Sequence, residues 1–167
     1  MRSRYLSVVA AALLLASAAC TSEAAPALRS PGPAATGAAA AAPCTPARVV
    51  DAEPPVWANA GFTPGTKVRY AASESGDMLA VLFGYPLYSP PLPDRANKVL
   101  WRSRAPLVPS DPLLIEARLG GTGPPTRIKV LGGPGPSYVD VPSPGCWRLK
   151  LTWSSRTDSI DLEYAGR

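Results

Sequence analysis

The chain contains no histidine. That absence removes the commonest general base and the commonest metal ligand together. It also excludes a Ser-His nucleophile. None of the four lysines follows a serine at Ser-x-x-Lys spacing, so a serine-lysine pair has no sequence support. There is no Asp-x-Asp-x-Asp-Gly calcium loop, no cysteine pair with zinc spacing and no Cys-x-x-Cys redox motif. Gly120–Pro125 and Gly132–Pro136 are glycine-rich, but neither is followed by Lys-Ser or Lys-Thr opening a helix. They read as hairpin turns that use positive φ, not as phosphate loops. No segment sustains a 3.6-residue apolar period, because proline or glycine interrupts nearly every long window. Large charge is missing too. The formal net charge of +5 falls to about +3 without Arg2 and Arg4, which is no nucleic-acid footprint.

What the chain does have is 21 prolines, 14 glycines and short alternating runs. From Cys146 to Trp153 the side chains alternate without a miss, with Trp147, Leu149, Leu151 and Trp153 on one face. Ile160, Leu162 and Tyr164 continue an apolar face after a polar turn at Ser154–Asp158. This predicts a terminal antiparallel hairpin, with Arg148 and Lys150 opposite Asp161 and Glu163 as cross-strand charge pairs. Asp158, Asp161 and Glu163 are expected on or beside a solvated outward face, not converging in a cleft as paired catalytic carboxylates. Further runs at 67–71, 77–83, 97–104, 112–119, 126–131 and 137–141 bring the expected strands to eight. Their pattern predicts an all-β antiparallel sandwich. The expected domain is residues 48–167, long enough to bury about two-thirds of its unfolded surface.

The N-terminus has a different composition. Two arginines precede the apolar and small residues of Leu6–Ala19, the layout of a signal peptide. This stretch of about fourteen residues is short of the ~20 that span a bilayer. Its end, Leu15-Ala16-Ser17-Ala18-Ala19-Cys20, resembles the lipobox of bacterial lipoproteins. Ser17 departs from the leucine that the family prefers. The resemblance implies a signal peptide over 1–19, lipidation of Cys20 and a membrane anchor. The alternative is ordinary cleavage after Ala18 or Ala19 and a freely secreted protein. Residues 20–47, rich in alanine and proline, read as a disordered tether.

Pro142-Ser-Pro-Gly-Cys-Trp-Arg-Leu149 with the final strand resembles the closing hairpin of Ig-like sandwich domains in secreted bacterial lipoproteins. Val56–Phe62 and Asn97–Trp101 are similar to further landmarks of an actinobacterial version. The resemblance implies an Ig-like sandwich on the extracytoplasmic face of the cell membrane, and it brings no reaction or cofactor. The expected function is a lipid-anchored structural or binding module of the cell envelope, with a protein or glycan partner and no nucleic acid. A cell-wall enzyme is the rival reading.

Two site expectations follow. With Cys20 assigned to lipid, Cys44 and Cys146 remain in a chain that enters an oxidising compartment, and the pair is expected to form a disulfide. It should clamp the incoming segment over the outside of the sandwich. The second expectation is a contact surface. Tyr85 and Tyr88 lie in a proline-stiffened loop, and Trp101, Arg102 and Arg104 follow on the next strand. Rigid aromatics beside arginine suit a surface for sugars or proteins. The same tyrosines also suit a cap on one end of the core, with the prolines protecting a sheet edge.

Overall fold

A computed structural model describes residues 43–167. The expected signal peptide, Cys20 and the expected tether up to residue 42 lie outside the described residues. The fold is all-β, with ten strands and one 3-10 turn at Val56–Ala58. The first five strands are β1 (Val50–Ala52), β2 (Val68–Ala72), β3 (Met78–Leu82), β4 (Leu87–Tyr88) and β5 (Lys98–Ser103). The others are β6 (Leu113–Leu119), β7 (Thr126–Val130), β8 (Pro136–Tyr138), β9 (Gly145–Trp153) and β10 (Arg156–Ala165). They form two five-stranded sheets, ordered β1-β2-β3-β5-β8 and β4-β10-β9-β6-β7. Every pairing is antiparallel except β4 with β10.

The order β3-β5-β8 facing β10-β9-β6-β7 follows the A-B-E and G-F-C-C′ order of the immunoglobulin sandwich. β1 and β2 extend the first sheet beyond that frame. All eight expected strands are present, with ends shifted by three residues at most. β1 and the two-residue β4 are additional.

The core lies between the sheets because alternation sends every second side chain inward. Met78, Ala80, Val99 and Trp101 meet Leu113, Ile115, Leu149, Leu151, Trp153 and Ile160 there. Three core tryptophans satisfy their indole N–H groups, as burial of a polar tip requires. Trp153 Nε1 donates across the sandwich to Ser103 Oγ at 3.0 Å. Trp101 Nε1 donates to Ser137 Oγ at 3.0 Å, and Trp147 Nε1 to the Ser143 carbonyl at 2.9 Å. β3 is buried along its whole length. Its other side, Leu79 and Val81, is covered by Trp57 and Phe62 from the connection between β1 and β2.

The terminal hairpin is tighter than the sequence pattern suggests. Ser154 and Ser155 alone make the turn, with φ of 43° and 61°. This two-residue turn with positive φ matches the strand twist. Thr157 and Asp158 therefore belong to β10, paired with Thr152 and Leu151. Gly120 and Gly121 have the positive φ expected at the β6–β7 turn. Gly132 and Gly133 also have positive φ, but they serve a crossover between sheets instead of a hairpin.

Candidate functional site

Cys44 and Cys146 form the expected disulfide, with Cα atoms 5.9 Å apart and a sequence separation of 102. Cys146 lies on the outward side of β9, opposite Trp147, so this is not a core bridge. The incoming chain is tied further by two donors. Thr45 N donates to Asp161 Oδ2 at 2.8 Å, and Ala47 N donates to the Asp161 carbonyl at 2.8 Å. Residues 44–47, read from sequence as the end of the tether, are thus bonded to the flank of β10.

Asp161 is the hub of this strap. Arg148 grips it with two bonds, Nε to Oδ1 at 2.8 Å and Nη2 to Oδ2 at 2.7 Å. Such bidentate pairs are the strong ones. The Asp161 hydrogen bond holds the Arg148 guanidinium above its ordinary value, outweighing the opposite effect of burial, and Glu74 adds to the rise. Cys44, Cys146 and Asp161 bring their ligand-type atoms within 4.8 Å of one another. The sulfurs are bonded to each other and the carboxylate is held by Arg148 and Thr45, so this cluster offers no thiolate to a metal.

The solvated reading of Asp158 and Asp161 is corrected here, since both are buried. Asp161 faces outward but lies beneath the strap and Arg148. Asp158 pairs with Leu151 and faces the interior, where the β2–β3 turn covers it. The hydroxyls of Ser73 and Ser75 and the backbone N–H groups of Ser75 and Ser159 all donate to its carboxylate. Three residues apart on a strand, the two aspartates point to opposite faces and cannot converge on one bond.

Burial alone would push the Asp158 carboxyl up, but these four donors outweigh it and hold the group below its ordinary 3.8. A depressed carboxyl pKa stabilises the fold above the unfolded value, and that contribution is lost as pH falls through the folded value. The stability gap between wild type and Asp158→Asn is therefore expected to be widest near pH 7 and to shrink below pH 3.8. Urea unfolding of both proteins at several pH values checks this. A gap that stays constant to pH 2 contradicts the assignment.

The expected contact surface divides into three parts. Trp101 is fully buried and presents no face to a partner. Arg102 lies under the Trp57–Phe62 cap and donates to the Ala60 carbonyl, while its Nε is buried without a hydrogen-bond partner. Arg104 sits 5.9 Å from the Trp57 ring. Tyr85 and Tyr88 stand at the other end of β5, roughly 20 Å away at the usual rise per strand residue. Their cationic neighbours are Arg69 and Arg95, which stack at 5.9 and 5.4 Å. Both arginines also donate to the Tyr85 carbonyl. Arg95 was visible in sequence, two residues past Pro93, whereas Arg69 is brought in from β2.

The tyrosine loop is itself firmly built. Asn97 accepts from Tyr88 N and donates to Tyr88 O, while Ser89 Oγ donates to the Val141 carbonyl. Tyr85 packs against the core. Gly84 permits the approach of the Ala96 carbonyl, which a Cβ would meet at 2.5 Å. The geometry suits a cap on the sandwich end. Phe83, from the same loop, is half exposed on the outer sheet face.

The chain matches no protein-family model, no curated protein and no solved structure. The functional reading therefore rests on the residues themselves.

Proposed function

We propose that the protein is an exported, lipid-anchored β-sandwich that serves as a structural or binding module on the outer side of the bacterial cell membrane. The observation that carries this reading is the Cys44–Cys146 bridge. Structural disulfides form and persist in oxidising compartments. The bridge consumes two of three cysteines and leaves Cys20, at the end of a lipobox-like stretch, as the remaining thiol. A diacylglyceryl group on Cys20 supplies two chains, where a single acyl chain gives only marginal retention of about 10⁴ M⁻¹.

Cys20→Ala is expected to move the mature protein from the membrane to the soluble fraction and to abolish incorporation of labelled fatty acid. Equal membrane retention of wild type and variant, with no mass difference between them, overturns the anchor.

A further inference from the structure

The cap formed by Trp57 and Phe62 covers only part of the outer face of the β1-β2-β3-β5-β8 sheet. Beyond it, one row of outward residues crosses all five strands. Ala52 pairs with Val68, Phe83 N donates to the Lys98 carbonyl, and Lys98 pairs with Tyr138. The β2–β3 ladder stops at Tyr70 and Val81. Between Val68 and Phe83 this leaves an open cleft of about 260 Å³. A second cleft of about 270 Å³ lies between Lys98 and Tyr138. The two clefts share no lining residue, and the Phe83–Lys98 pairing sets them next to each other across the strands as two halves of a shallow groove.

Phe83 is 53% exposed and Tyr138 62%. They flank β5, so they stand two strand spacings apart, roughly 9.5 Å. That separation matches the disaccharide repeat of an extended polysaccharide, whose sugar rings offer apolar faces for stacking on aromatics. Lys98 lies on β5 between them, and its ammonium sits over the Phe83 ring, 5.5 Å from the centroid. Among the described residues, neither Lys98 nor Lys67 at the far end of the groove forms an ion pair. Arg69 there is matched by Asp51 at 3.5 Å. The groove thus carries uncompensated positive charge between two ring platforms. It has no deep pocket of the kind that anchors a protein side chain.

We propose that this groove binds an extended polysaccharide bearing carboxylate groups, with Phe83 and Tyr138 stacking on alternate sugars and Lys98 meeting the charge between them. The proposal rests on the binding-module reading and names the ligand class for it.

Affinity electrophoresis of the full chain through gels containing polygalacturonate, dextran or poly(glycerol phosphate) tests it. Polygalacturonate should retard the protein, and dextran, which has rings without charge, should retard it far less. Phe83→Ala with Tyr138→Ala should weaken polygalacturonate binding at least roughly tenfold, and Lys98→Gln should weaken binding and flatten its salt dependence. Because all three side chains are outside the core, the variants should melt like wild type. If the double variant unfolds, Lys98→Gln and salt titration of wild type still decide the matter. The proposal is overturned by absence of retardation in polygalacturonate or by equal retardation in dextran. Retardation that poly(glycerol phosphate) matches and the aromatic substitutions leave unchanged also overturns it, as a charge effect alone. Failure here with Cys20-dependent membrane retention intact removes the glycan groove and leaves the anchored module standing.

Discussion

Replacing Cys44 and Cys146 together by serine is expected to lower the unfolding free energy by about 2–4 kcal/mol. For a domain of this size that is a fall in melting temperature on the order of 10 °C. The bridge closes a loop of 102 residues, for which the chain-entropy model gives close to 4.7 kcal/mol. The lower figure is expected because the denatured chain retains structure. The double substitution is preferable to a single one, since a lone Cys44 or Cys146 is a thiol open to mixed disulfides with other molecules. Loss of the bridge should also free the strap locally. Amide exchange at Thr45 and Ala47, whose N–H groups donate to Asp161, should then accelerate more than exchange in β9. Urea unfolding of the two proteins measures the first effect. A loss under about 1 kcal/mol would show that the strap is held by its hydrogen bonds and not by the covalent link.

The second large effect concerns Arg148 and Asp161. Their side chains are 19% and 5% exposed, so removing Asp161 takes the bidentate partner from a largely buried charge, and the more exposed Glu74 carboxylate at 3.5 Å offsets only part of that loss. Asp161→Ala is expected to cost about 3–5 kcal/mol, while replacing both partners by apolar residues of similar size should recover most of that loss. The reason is that desolvation of the ions offsets much of their attraction, so the pair is nearly neutral but its fragments are not. Asp161 carries an additional burden as the acceptor for Thr45 N, so Asp161→Ala should destabilise more than Arg148→Met. Equal costs for the two single variants, or no recovery in the double variant, would contradict this division of roles.

Particular residues show how far the sequence leads and where it stops. β9 and β10 were legible because Trp147, Leu149, Leu151, Trp153, Ile160, Leu162 and Tyr164 alternate strictly, and a half-buried strand is the simplest object with that period. The disulfide was legible from cysteine arithmetic and compartment. β4 was not legible, since two residues carry no period and Leu87 is buried through its pairing with Tyr164, far along the chain. Asp158 and Asp161 were misplaced for the same reason. Ser73, Ser75 and Thr45, which cover or hold them, are remote in sequence. Grouping Trp101 with Arg102 and Arg104 treated neighbours in sequence as neighbours on a surface. On a strand, Trp101 and Arg102 must face opposite ways. In the tyrosine loop it is Phe83 that stands exposed, while Tyr85 packs against the core, a division that adjacent aromatics in sequence do not reveal.

Mass spectrometry of protein isolated from the cell envelope without reduction decides whether the domain is exported, tied to the membrane through Cys20 and closed by its other two cysteines. The expected result is a mature chain whose first residue is Cys20 carrying a diacylglyceryl group, with the Cys44 and Cys146 peptides recovered as one cross-linked species. Unmodified Cys20, or alkylation of Cys44 and Cys146 before any reductant is added, would contradict it.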